Sequence, residues 1–304
     1  MTEGDTPTVA RRRVRLAIRE ARERAGLTQN QVADEMEWSL SKVIRIENGE
    51  VSISQNDLKP LLSFVGVKDK AVVSALLADA RIARTRQRQA WYQAPEFRQH
   101  LSDAYRQLIE YEAEATFIRS YSVYYVPGPL QIPSYATALT TPWDDELPPG
   151  QIQSVLEARQ RRRVILRERL ENRSMQWAIV LDQSVFERHI GSAGILADQF
   201  QELHDLASNG LIDIRMLSFD LPSPIANNAT FDILTLGDGP HNQIMYREIG
   251  TGDELAEDVA VASRHLARFE QLWQVATSEV DTIDFMKGRI EALRTKISDG
   301  QSRQ

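Results

Sequence analysis

The chain has 304 residues, 42% of them hydrophobic, no cysteine and a formal net charge of −7. A mean hydropathy of −0.38, with no apolar run near the ~20 residues that a helical bilayer crossing needs, argues against membrane residence. The missing cysteines exclude disulfides, thiolate metal sites and thiol nucleophiles, and fit a reducing, cytoplasmic setting. The length predicts two domains or more.

Residues 1–10 are polar, contain Pro7 and are expected to form a disordered tail. They do not form a signal peptide, because Arg15, Arg19 and Glu20 interrupt the apolar positions that follow Arg11, Arg12 and Arg13. Val14, Leu16, Ile18, Ala21 and Ala25 have helical spacing, and Gly26 stops the pattern. Thr28 with Gln31 makes a capping-box start for a second helix to Met36, and Ser39 is a natural N-cap for a third, Leu40 to Glu47. Further helical patterns span 55–65 and 70–88, so residues 11–80 read as a compact five-helix domain. Residues 81–99, with Arg81, Arg84, Arg86 and Arg88, then Trp91, Tyr92 and Pro95, read as a linker. From residue 100 to 298 an α+β domain is expected, with a small mixed sheet and C-terminal helices. Its predicted helices are 102–117, 134–139, 152–170, 195–207, 254–276 and 278–297. Its predicted strands are 121–125, 177–181, 212–217, 231–236 and 244–249, the last two joined as a hairpin through Gly237–Pro240.

The segment Gly26–Gly49 carries the specific signal. Ala33 is the fifth position from Gln29, where two helices pass closest and a large side chain would push them apart. Val32, Met36, Trp38, Val43 and Ile46 fall where a three-helix core needs apolar anchors. The segment resembles the phage-repressor-like (XRE-type) family of helix-turn-helix regulators, departing from it at Glu37, where glycine commonly supplies a positive φ. The resemblance implies double-stranded DNA as partner, with Gln29 against a phosphate and Ser39 to Arg45 entering the major groove. Ser41, Lys42 and Arg45 are the candidates for base edges, since Arg and Lys suit guanine O6 and N7. Thr28, Gln29 and Asn48 are assigned to phosphates, and Leu40 to a thymine methyl. Glu47 is expected to pair internally with Arg19 or Arg22. A bundle used only for protein contacts is the alternative. The first 59 residues balance at ten Lys/Arg against ten Asp/Glu, which predicts modest, salt-sensitive DNA binding by each copy and hence a homodimer.

A second resemblance rests on Val126-Pro-Gly-Pro-Leu-Gln131, Glu157–Arg161, Val180–Arg188, Phe231–Leu236 and Tyr246–Glu248. These are similar to an uncharacterised domain of actinobacterial regulators, Streptomyces among them, that follows this kind of helix-turn-helix and whose genes often lie beside one for a very short protein. Pro129, Pro133, Phe186 and His189 depart from the commoner residues. The five histidines are scattered without metal-ligand spacing, and no phosphate-binding glycine loop or nucleophile elbow is present. We therefore expect no cofactor and no enzyme activity. Tyr121, Tyr124 and Tyr125 have two readings. They line a cavity for an apolar effector, with Arg159 and Glu248 as its polar contacts, or they fill the core. The expected function is operator binding by a dimer, gated by a small molecule or a short co-encoded protein at the second domain. An antitoxin-like interaction protein is the rival reading.

Overall fold

The computed structural model describes residues 7–84, 90–143, 148–221, 229–237, 242–249 and 252–301. It divides into two compact units, 1–90 and 91–304. The first unit carries sixteen Lys/Arg against twelve Asp/Glu, a net +4, which leaves −11 on the second. Extending the count from residue 59 to this boundary replaces the neutral domain of the sequence reading with a basic one, because Lys68, Lys70, Arg81, Arg84, Arg86 and Arg88 belong to it.

The first unit is all helical: α1 Pro7–Arg24, α2 Gln29–Glu35, α3 Leu40–Glu47, α4 Gln55–Phe64 and α5 Lys70–Ala83. Residues 7–10 are helix and not tail. Pro7 opens α1, where its missing N–H costs nothing, and Val9 and Ala10 are buried. Residues 1–6 of the expected tail, and 85–89 at the end of the pattern expected to continue α5, lie outside the described residues. Side-chain caps start four helices: Thr28 with Gln31 as a capping box, Ser39, Ser54 and Asp69. Ile18, Val32, Ala33, Val43, Leu58 and Leu62 form the buried centre.

The second unit begins within the expected linker. A 3-10 turn at Trp91–Gln93 and α6 Pro95–His100 bury Tyr92 and Phe97, and α6 packs on a later helix of the same unit. In chain order follow α7 Asp103–Glu114, β1 Phe117–Ser122, α8 Pro133–Thr140, α9 Gln151–Glu171, β2 Gln176–Asp182, α10 Gln183–Glu187, α11 Ala193–Ser208, β3 Asp213–Leu217, β4 Phe231–Thr235, β5 Gln243–Ile249, β6 Gly252–Ala256, α12 Val259–Val275 and α13 Glu279–Gln301. The aromatic strand expected at 121–125 is displaced: β1 starts at Phe117 and has ended by Tyr124. Residues 254–276 are not one helix. Gly252–Ala256 pairs antiparallel with β5, and Asp258, accepting from the Val261 N–H, caps a helix that starts only at Val259. Residues 238–240 of the expected hairpin turn lie outside the described residues, although β4 and β5 do pair antiparallel.

The sheet order is β3-β2-β1-β4-β5-β6. β1, β2 and β3 are parallel, joined by helical crossovers as parallel strands require, and β4 returns antiparallel to the free side of β1. The C-terminal ends of β1 and β5 and the N-terminal start of β4 therefore lie at one edge. On one face Tyr121, Val180, Phe231, Ile233 and Met245 pack with Phe269 and Leu272 of α12. On the other, Ser120 of β1 stands opposite Asp232 of β4, and Asp232 opposite Tyr246 of β5. Among the described residues no helix is long and apolar enough to cross a membrane.

Candidate nucleic-acid interface and a cleft in the second unit

In the first unit α1, α2 and α3 are tied by a buried carboxylate. Arg22 donates to Glu47 through Nε at 2.6 Å and Nη2 at 3.0 Å, Gln29 donates through Nε2 at 2.8 Å, and Arg22 Nη1 reaches the Leu27 carbonyl at 2.9 Å. Charge-assisted, partly bidentate bonds of this kind fix orientation as well as adding stability. Of the two partners expected for Glu47, Arg22 is the one present; Arg19 pairs with Glu23. Gln29, expected at a phosphate, spends one amide N–H on this anchor. Thr28 caps α2 and Asn48 closes α3, its Nδ2 donating to Glu50.

The turn between α2 and α3 holds Glu37 at φ 55°, the left-handed region that glycine adopts without strain. It lets the Trp38 N–H reach the Ala33 carbonyl at 2.8 Å. Beyond it the buried Val43 and Ile46 hold α3 to the bundle, while Ser39, Leu40, Ser41 and Arg45 are exposed on its outer side. Neither cation of α3 stands alone. Lys42 lies over the Trp38 ring, 3.8 Å from its centroid, with Asp57 Oδ2 at 3.4 Å, and Arg45 Nε is 3.5 Å from Glu50. Exposed pairs of this kind are weak, so a nucleic acid can displace them.

In the second unit the sheet edge carrying the ends of β1 and β5 opens on a cleft of about 40 Å³. Glu112 of α7 and Arg159 and Arg162 of α9 line it, with Trp177, Asp232, Tyr246 and Glu248 of the sheet and the segment Tyr125–Pro129. Its polar groups are organised in layers. Trp177 Nε1 donates to Ser120 Oγ at 2.9 Å, and Ser120 donates in turn to Asp232 Oδ1 at 2.5 Å. Burial, with the charges of Glu112 and Glu248 adding to it, pushes the Asp232 carboxyl up to about 7 against the pull of Ser120 and Arg162. Arg162 is buried and forks onto Glu112 at 2.8 and 2.6 Å, with Nη1 donating to the Tyr105 hydroxyl at 2.6 Å. Tyr125 donates to Glu248 Oε2 at 2.6 Å, and Arg159 donates to Thr140 Oγ1 at 2.8 Å.

Tyr121, Tyr125, Arg159 and Glu248 thus come to one cleft, but Tyr124 does not. It is 51% exposed, with the Arg188 guanidinium over its ring. Tyr121 belongs mainly to the other face, its ring 5.8 Å from Phe231 and its hydroxyl buried without a hydrogen-bond partner. Ser120, Asp232, Glu112 and Arg162 escaped the sequence reading. The available signal was an aspartate flanked by Phe231 and Ile233 in an otherwise apolar strand.

A capped two-helix unit on a three-helix core, with the second helix exposed, defines a helix-turn-helix DNA-binding regulator. A helix-turn-helix domain family matches residues 14–76. A domain of unknown function (DUF5753) matches residues 105–288, more than half of the chain, and the chain belongs to that family. No curated protein and no solved structure is detectably similar to it.

Proposed function

We propose that the chain is a cytoplasmic, sequence-specific transcription regulator of the phage-repressor type, without enzyme activity. It binds operator DNA as a dimer and answers to a small molecule taken up by the cleft of the second unit. The observation that carries the DNA reading is the outer side of α3, where Ser41 and Arg45 are exposed and the ion pairs of Lys42 and Arg45 are displaceable surface pairs. The basic first unit supplies phosphate attraction that the acidic chain total conceals. Gln29 keeps a second amide N–H for a phosphate, and the N-termini of α2 and α3 offer further backbone donors. Sensing is supported by the place of the cleft at the edge where strand order reverses, a recurrent ligand position in sheets that mix helices and strands, and by the polar groups of α7, α9, β4 and β5 that converge there.

Selection of duplexes from a random library by the full chain, followed by footprinting, tests the first part. A pseudo-palindrome with half-sites about one helical turn apart is the expected product. Recovery of no sequence preference would overturn it. For the second part, native mass spectrometry of protein purified from its host should show a retained small molecule. Bare protein in every preparation, with operator affinity unchanged by host metabolite extract, would overturn the sensing role.

A further inference from the structure

Three charged groups of the cleft have only neutral hydrogen-bond partners among the described residues, Arg162 acting on Asp232 through its charge alone. Glu112 is consumed by Arg162, and Arg247 by Glu254 at 2.6 Å. Asp232 is met by the Ser120 hydroxyl, Glu248 by the Tyr125 phenol and Arg159 by the Thr140 hydroxyl. What remains is two carboxylates and one guanidinium lining the same small space. Burial, with the nearby charge of Glu248 adding to it, disfavours the ionised form of Asp232. A cation placed between the two carboxylates would relieve that penalty.

We propose that this cleft binds a small zwitterionic amine, its ammonium facing Asp232 and Glu248 and its anionic group facing Arg159. The assignment rests on the sensing role above and names its ligand class. The size of the site agrees. About 40 Å³ holds roughly three water-sized groups, enough for an ammonium and its first carbons but not for a ring. The aromatic walls, Tyr125, Trp177 and Tyr246, suit a cation. Arg159 also lines an adjoining groove of about 420 Å³, together with Gln131, Pro133, Thr137, Leu156 and Gln160, into which a longer ligand body extends. A metal ion fits less well, since no three His, Asp or Glu side chains among the described residues are grouped to hold one.

The test is thermal unfolding and titration calorimetry of the full chain with four probes: 4-aminobutyrate, n-butylamine, butyrate and Mg²⁺. At about ten times its dissociation constant, 4-aminobutyrate should raise the unfolding midpoint by about 3–6 °C. Butylamine should bind more weakly, and butyrate and Mg²⁺ should do nothing. Asp232→Asn, which keeps an oxygen for Ser120, and the surface change Glu248→Gln should each abolish the rise with both amines. Arg159→Gln should reduce 4-aminobutyrate to the level of butylamine. A response to butyrate that Arg159→Gln removes would overturn the ammonium assignment and leave sensing intact. A response to Mg²⁺ alone, or to none of the four, would also overturn it, and sensing would then stand or fall by the host-purified protein.

Discussion

At the scale of single residues the first unit can be probed at Arg45 and Glu37. Arg45 is exposed and its pair with Glu50, at 3.5 Å between side chains more than half exposed, adds little to stability. Arg45→Ala should leave the melting temperature unchanged within a degree or two. It should cost about 1–3 kcal/mol of discrimination at each half-site, measured as the ratio of operator to random-duplex affinity; an unchanged ratio would remove Arg45 from base readout. Glu37 pays a conformational cost at φ 55°. Glu37→Gly should stabilise residues 1–90 by about 0.5–1 kcal/mol in urea unfolding, and a loss of stability would mean that the carboxylate has a use. In the second unit Asp232 gives a pH signature. Its folded value near 7 exceeds the unfolded value near 4, so the native state holds the proton more tightly. The stability this confers is complete below about pH 4, declines as pH rises toward 7 and is flat above. The groups facing it, Glu112 and Glu248 on one side of the balance and Arg162 and Ser120 on the other, stay in place in Asp232→Asn. That variant should therefore gain on the parent by at least about 1 kcal/mol at pH 8 compared with pH 5; parallel stability curves would place Asp232 in ordinary solvent.

At the scale of elements, helices were legible where caps and period coincide. Thr28–Gln31, Ser39 and the Val43–Ile46 spacing mark α2 and α3 because those bonds are local, made within three or four residues. Strands depend on partners far along the chain. Gly252–Ala256 has the composition of a helix end and becomes β6 only because β5 offers it hydrogen bonds, while Asp258 was the overlooked local sign that a helix starts afterwards. The tyrosines show the same limit: alternation counted through Tyr125 fails because β1 has ended by then. Arg159 and Glu248, which line the cleft, could be singled out from the sequence, yet the Glu112–Arg162 fork that holds α7 to α9 could not, since its members are fifty residues apart. Removing one member strands a buried charge. Arg162→Met should cost about 3–5 kcal/mol, and adding Glu112→Leu should restore most of it; a double-variant cost equal to the sum of the two single costs in chemical denaturation would show that the pair is not coupled.

At the scale of the whole molecule, the domain division was visible in composition but its boundary was not. Phe97 and Tyr92 are buried in the second unit although the segment reads as a linker, and α13 packs on α11 almost to the chain end. Fragments should therefore be cut at residues 1–90 and 91–304. We expect the second to be dimeric in analytical ultracentrifugation and inert toward DNA. The first should bind operator with its net +4, but at least tenfold more weakly than the full chain, because it lacks a tethered second copy. A monomeric 91–304 fragment beside a fully active 1–90 fragment would refute that division of labour.

The position of β1 at the centre of its sheet also sets a timetable. Both of its neighbours are synthesised after it, and the hydrogen-bonded pair Ser120–Asp232 spans 112 residues. At about 5–20 residues per second, the ribosome delivers β4 on the order of ten seconds after β1. Throughout that interval the nascent strand, flanked by Tyr121 and Ile118, has one or both edges unpaired and open to other chains. Once β4 arrives it seals the edge and brings Asp232 to the cleft, which β5 then completes with Tyr246 and Glu248. A nascent chain halted before residue 231 would hold the helix-turn-helix unit beside a second unit whose cleft is not yet built.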